Sequence, residues 1–120
     1  VLLHHIGHAT SATLYRKLPY DTINDFEAIG LVTDVPMTMV AKKDLPPKDF
    51  KELVTYVQQQ KDKVSYGNAG IGAASHLCGL MFMSSIDTDF TTVPFKGTAD
   101  VINALLAKQI EDGRVVLHVT

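Results

Sequence analysis

Apolar positions over residues 50–57 fall at Phe50, Leu53, Val54 and Val57, the i, i+3, i+4, i+7 spacing of one helical face. Lys51, Gln58, Gln59 and Lys61 take the outward positions. Asp49 stands where a cap is needed and Glu52 follows three residues on, the pattern of a capping box. A second helix is predicted over roughly 73–85. Leu77, Leu80, Met81 and Phe82 make it apolar almost all round, so it is expected to be well buried. A third is predicted over roughly 98–108, with Thr98 as its cap and Val101, Ile102, Leu105 and Leu106 facing the core.

Between these lie shorter β-rich stretches. Residues 28–33 and 36–41 read as strands, the second with Met37, Met39 and Ala41 alternating against Thr38 and Val40. Leu45-Pro46-Pro47 stops it, because proline cannot donate to a ladder. Val64-Ser65-Tyr66 is a third candidate, and residues 90–93 a fourth, ended by Pro94. Residues 114–119 close the chain as a strand after the turn dipeptide Asp112-Gly113. Val1–His5 reads as the end of a further strand. Alternating strands and helices imply right-handed crossovers, so the expected fold is α/β: a single domain over 1–120, with a mostly parallel sheet flanked by helices.

Composition narrows the function classes. The 120 residues carry a net charge of −2, with lysines and arginines mostly scattered singly, which gives no electrostatic basis for binding nucleic acid. Cys78 is the one cysteine, so neither an internal disulfide nor a multi-cysteine metal site is available. Its apolar surroundings suggest a buried, inert thiol. No apolar run approaches the ~20 residues of a membrane helix, and the first residues lack the basic region of a signal peptide.

Candidate chemistry concentrates where residues 64–66 run through Gly67-Asn68-Ala69-Gly70-Ile71-Gly72 into the second helix. In open α/β sheets ligands sit beyond the carboxyl ends of strands, where loops lead into helices. Glycines let the backbone approach a ligand, and a helix N-terminus offers unpaired N–H groups and partial positive charge to a carboxylate or phosphate. Asn68, Ser75 and His76 could add side-chain hydrogen bonds, and the turn at Lys96-Gly97 could lie beside this loop. Such loops also arise for purely geometric reasons.

More specific motifs fail. No lysine follows Gly72, as a P-loop requires, and no acid closes the next strand, as a dinucleotide fingerprint requires. His4 and His8 are four apart, a spacing useful to a metal only on a helix, whereas Val1–His5 reads as strand. Ser75 and His76 are adjacent on a helix and point in different directions, so they do not form a nucleophile–base pair. Asp87 and Asp89 flank a turn and read as solvated. No catalytic residue, metal or cofactor is expected.

The order of motifs resembles the Bug (TctC-like) family of extracytoplasmic solute-binding proteins of tripartite tricarboxylate transporters. The resemblance rests on Gly7-His8-Ala9, on residues 14–21, on Asp25-Phe26, and on Leu45-Pro46 through Glu52-Leu53. It continues through residues 66–72, Ser75-His76-Leu77, Val93 to Gly97, and 105–110. After Ile110 the chain reads as a different ending. The resemblance implies one lobe of a periplasmic-binding-protein (Venus-flytrap) fold, with 1–27 left from the first lobe and 28–120 forming a second-lobe unit. No counterpart is seen of the family's N-terminal glycine-rich loop or its second half, so the chain is expected to be a truncated, internal piece.

The implied ligand is a small carboxylate (an amino acid, a di- or a tricarboxylate), held mainly by backbone N–H groups and water. The implied ligand-binding residues are Asn68, Ala69, Gly70, Ile71, Gly72, Ala73, Ser75 and His76, with Lys96, Gly97, His8 and Ala9 bordering the cleft. The implied partners are the transporter's membrane subunits, and the implied location is the periplasm. A lobe without its fellow exposes sheet edges, which makes a homo-oligomer the expected assembly and a self-associating module without ligand the alternative function.

Overall fold

In the computed structural model, which describes residues 1–106 and 115–120, the elements run α1 (Ile6–Leu14), β1 (Met39–Ala41), α2 (Phe50–Gln59), β2 (Val64–Asn68), α3 (Ala74–Ser85), β3 (Thr91–Pro94), α4 (Thr98–Leu106) and β4 (Val115–Val119). The expected Asp112-Gly113 turn, the start of the last strand at Arg114 and the end of the third helix fall outside the described residues.

The four strands form one sheet in the order β1-β4-β2-β3. β2 pairs in parallel with β3 and with β4, while β1 joins β4 antiparallel at the edge. The sheet is therefore mixed and mostly parallel. Tyr66 lies opposite both Thr92 and Leu117, and Gly67 opposite Val93 and His118. All five residues of β2 are buried, as a central parallel strand covered on both faces requires.

Side chains alternate across a strand, so the two faces can be separated. Val64, Tyr66, Leu117 and Val119 share one core cluster with Leu53 and Val57 of α2 and Phe82 and Met83 of α3. Val101 and Ala104 of α4 are buried outside that cluster, against β2 and β4. α3 and α4 thus cover opposite faces, and the loops leaving β2 and β3 diverge to opposite sides.

The helices follow local signals with some corrections. Asp49 caps α2 by accepting from the Glu52 N–H at 2.8 Å, and Glu52 accepts from the Lys48 N–H at 2.9 Å. Leu53 and Val57 are buried as expected, but Phe50 is exposed. α3 is not buried all round: Ser75, Gly79, Phe82 and Met83 form its buried stripe, while Leu80 and Met81 face outward and Cys78 is half-buried. α4 buries Val101 and Ala104 but exposes Ile102 and Leu106, because a lone helical face on a sheet is one stripe wide.

Two strand expectations do not hold. Val1–His5 is not a strand; α1 begins at Ile6 with the His5 ring as its N-cap, accepting from the Gly7 N–H at 3.0 Å. Residues 28–33 form no strand either, since no neighbouring strand offers them hydrogen bonds, and Ile29 and Leu31 stand 85% and 86% exposed. Residues 36–41 shorten to β1, where Met39 and Val40 are both half-buried rather than alternating. The Cα radius of gyration is 16.3 Å, larger than the ~13.6 Å usual for this length.

Candidate functional site

β2 delivers Asn68 to the carboxyl edge of the sheet, and the next residues fold back on their own side chains. The Ala69 N–H donates to Ser75 Oγ at 2.9 Å, and the Gly70 N–H to Asn68 Oδ1 at 3.0 Å. The Gly72 N–H donates to His76 Nδ1 at 3.1 Å, and the Ala73 N–H to the Gly70 carbonyl at 3.1 Å. Gly70 and Gly72 hold φ of 118° and 83°, the left-handed region that favours glycine, so this path depends on them.

Ser75 is the pivot. Its hydroxyl takes the Ala69 amide, and its carbonyl accepts from the buried Tyr66 hydroxyl. Burial pushes the Tyr66 phenol up to about 12, which keeps it a neutral donor. At the helix start, Ala73 occupies the N-cap position and makes no side-chain capping bond. The first-turn N–H groups of Ala74, Ser75 and His76 have no intrahelical partner and carry the positive end of the helix dipole.

The second loop is tied to the first: the Phe95 N–H donates to the Asn68 carbonyl at 2.8 Å. This bond sets the exposed Lys96 and the Lys96-Gly97 turn beside the glycine loop. α1 closes a third side. A methyl group on Gly72 would come within 3.0 Å of Leu14 Cδ1, and one on Gly7 within 3.3 Å of the Gly72 carbonyl. The structure therefore brings residues 68–76, the 96–97 turn and the His8 helix into one region at the carboxyl ends of β2 and β3, where their connections diverge.

His8 and Ala9 differ in their surroundings. Ala9 is exposed. The His8 ring sits among His4, Phe26 and Tyr20, with centroids 4.2, 4.7 and 5.9 Å away, and its Nε2 is buried without a partner among the described residues. His4 and His8 thus do meet, because residues 1–5 are not a strand and the chain turns at His5 into α1, which carries His8. Among the described residues no group of three or more His, Cys, Asp or Glu is placed to hold a metal.

Two supporting residues have no motif of their own. Tyr66 reads only as a strand residue until its hydroxyl is seen under α3. His118 is fully buried and pairs through Nδ1 with the Gly67 carbonyl at 2.9 Å, where the loop departs. A carbonyl only accepts, so Nδ1 carries the proton, and the buried Nε2 has no partner among the described residues. Its signal is one polar residue inside Val115-Val116-Leu117-His118-Val119.

Ser75 Oγ and His76 Nδ1 accept from different amides, so neither activates the other. The unpaired N–H groups lie at the helix start, and an open α/β sheet with divergent loops is the layout of a periplasmic-binding-protein lobe.

Comparison with known proteins agrees. The tripartite tricarboxylate transporter family receptor model matches residues 1–119, and the chain belongs to that family. The match runs past Ile110, so residues 115–119, which read as a different ending, are part of the family pattern. The periplasmic binding protein BugD is 46% identical with a TM-score of 0.80, over 95% of this chain and 36% of that one. MatC from Rhodopseudomonas palustris, solved with bound malate, is 32% identical with a TM-score of 0.76, over 93% of this chain and 36% of that one. A UPF0065 protein from the TAR-I ttuE-ttuC' intergenic region of Agrobacterium vitis is 45% identical over 111 residues, 92% of this chain and 32% of that protein. The chain spans about a third of the length of the relatives it matches.

Proposed function

We propose that this chain contributes one jaw of a receptor for small carboxylates, with the glycine loop 68–73 and the first turn of α3 as its anion-binding element. The uncapped start of α3 carries the reading. A twelve-residue helix whose N-cap residue makes no side-chain capping bond, preceded by a loop with two left-handed glycines, leaves backbone donors for an anion. Asn68, Ser75 and His76 set the loop's shape from within, and Lys96 adds positive charge beside it. His8 and Ala9 border the same region from α1. The malate in the MatC structure supports a carboxylate as the ligand class.

By the same family reading the partners are the membrane subunits of the transporter, and the compartment is the periplasm, as for the periplasmic binding protein BugD. The activity is capture, not catalysis. Calorimetric titration with malate and with its uncharged diamide tests this. Binding of malate alone is expected, and failure of every small carboxylate to bind would sink the proposal.

A second reading, a self-associating module, rests on one observation. Ile29, Leu31, Val32 and Val35 are each at least 65% exposed along an extended run between α1 and β1, an apolar stretch able to join another chain. Sedimentation velocity decides it: a monomer at high concentration removes this reading.

A further inference from the structure

The two nitrogens of His76 have different duties. The Gly72 N–H is a donor only, and it lies 3.1 Å from His76 Nδ1 in a geometry that makes Nδ1 the acceptor. An imidazole accepting at Nδ1 must be neutral and must carry its proton on Nε2. The bond thereby selects a tautomer as well as closing a turn. It closes it at a demanding place, since Gly72 is left-handed and packs against Leu14 of α1. His118, at the other end of the same loop, is held in the opposite tautomer, with Nδ1–H donating to the Gly67 carbonyl.

We infer that His76 is the positioning and specificity-determining residue of the loop: Nδ1 latches Gly72, and the Nε2–H that this bond enforces is the side-chain donor to the ligand carboxylate. The inference rests on the carboxylate-binding reading for its second half only. A neutral imidazole holding its proton on Nε2 offers an anion a donor and no lone pair in conflict. The half-buried setting of His76 keeps the ring in place. The ring then favours a ligand group that presents an acceptor to it, and a carboxylate presents only acceptors.

The experiment separates the two nitrogens. Nitrogen-15 NMR of the ligand-free chain at neutral pH is expected to find His76 as the Nε2–H tautomer; a proton on Nδ1 overturns the inference outright. His76→Asn places an oxygen near Nδ1 and removes the distal donor, whereas His76→Gln places a donor near Nε2 and removes the proximal acceptor. Amide exchange at Gly72 is expected to stay near wild type in His76→Asn and to quicken about fivefold or more in His76→Gln, the scale of one hydrogen bond. Malate affinity is expected to fall about tenfold or more in His76→Asn despite the intact latch, the scale of a charge-assisted bond.

Equal malate affinity in His76→Asn and wild type overturns the donor role. Unprotected Gly72 in His76→Asn, with Gly72 protected in His76→Gln, overturns the latch. If the unsubstituted chain binds no malate, the receptor reading and the donor role fall together. The tautomer and the Gly72 exchange still decide the latch.

Discussion

The ring of Tyr66 lies directly over the bare backbone of Gly79. A methyl group on Gly79 would stand 2.2 Å from Tyr66 Cε1 and 2.6 Å from Cζ. The absent side chain lets α3 approach β2 closely enough for the Tyr66 hydroxyl to reach the Ser75 carbonyl one turn earlier. The ring is fully buried, so it has nowhere to retreat. Gly79→Ala is therefore expected to cost about 1–3 kcal/mol, whereas an ordinary helical Gly→Ala change is stabilising. Urea unfolding checks it, and an unchanged midpoint would show that α3 slides freely on β2.

The same phenol couples stability to alkali. Burial raises the Tyr66 pKa to about 12 from 10.0. A folded value above the unfolded one means the contribution is complete below about pH 10 and is lost between about pH 10 and 12, as the unfolded chain ionises first. Two units correspond to about 2–3 kcal/mol. Tyr66→Phe removes this term, so the difference in unfolding free energy between the two proteins is expected to shrink across that window. A constant difference from pH 9 to 12 would contradict the assignment.

The elements that the chain reveals by itself are those whose reasons are local. The capped α2, the strand-to-helix loop and the parallel order all follow from spacing, caps and glycines within a few residues. What stayed hidden is set by distant partners. Residues 28–33 have strand-forming composition yet no strand beside them, so propensity has nothing to pair with. His5 becomes a cap only because Ile6–Leu14 is helical, which brings His4 to His8. The same holds for the site: Gly70 and Gly72 announce a tight loop, but neither the Tyr66 hydroxyl under Ser75 nor the His118 ring on Gly67 leaves a motif. The first acts from strand to helix and the second from strand to strand, over sequence separations of 9 and 51 residues.

Glycines in the two loops are expected to respond differently to alanine. Gly72 holds φ 83°, and its added methyl would meet Leu14 Cδ1 at 3.0 Å; Gly97 has open space around it. Left-handed strain alone costs about 1–2 kcal/mol. Gly72→Ala should lower stability by at least that, whereas Gly97→Ala should change it by less than about 0.5 kcal/mol. Thermal unfolding of both variants beside the wild type checks the contrast, and equal losses would mean that the 70–72 path is not the strained one.

Ser75 joins the loop to the helix, and its removal should separate shape from stability. Ser75→Ala leaves the Tyr66–Ser75 bond, which uses the backbone carbonyl, but deprives the Ala69 N–H of its acceptor. An unsatisfied, part-buried donor costs about 1–3 kcal/mol. The loop's other backbone-to-side-chain bonds, Gly70 to Asn68 and Gly72 to His76, do not pass through Ser75. Stability is thus expected to fall by about 1–2 kcal/mol, and amide exchange to quicken at Ala69 more than at Gly72. Ser75→Thr, which keeps the hydroxyl, should restore Ala69 protection where the buried site accepts the extra methyl. Faster exchange at Gly72 than at Ala69 in Ser75→Ala would show instead that the loop loosens as one unit, with Ser75 as its single anchor.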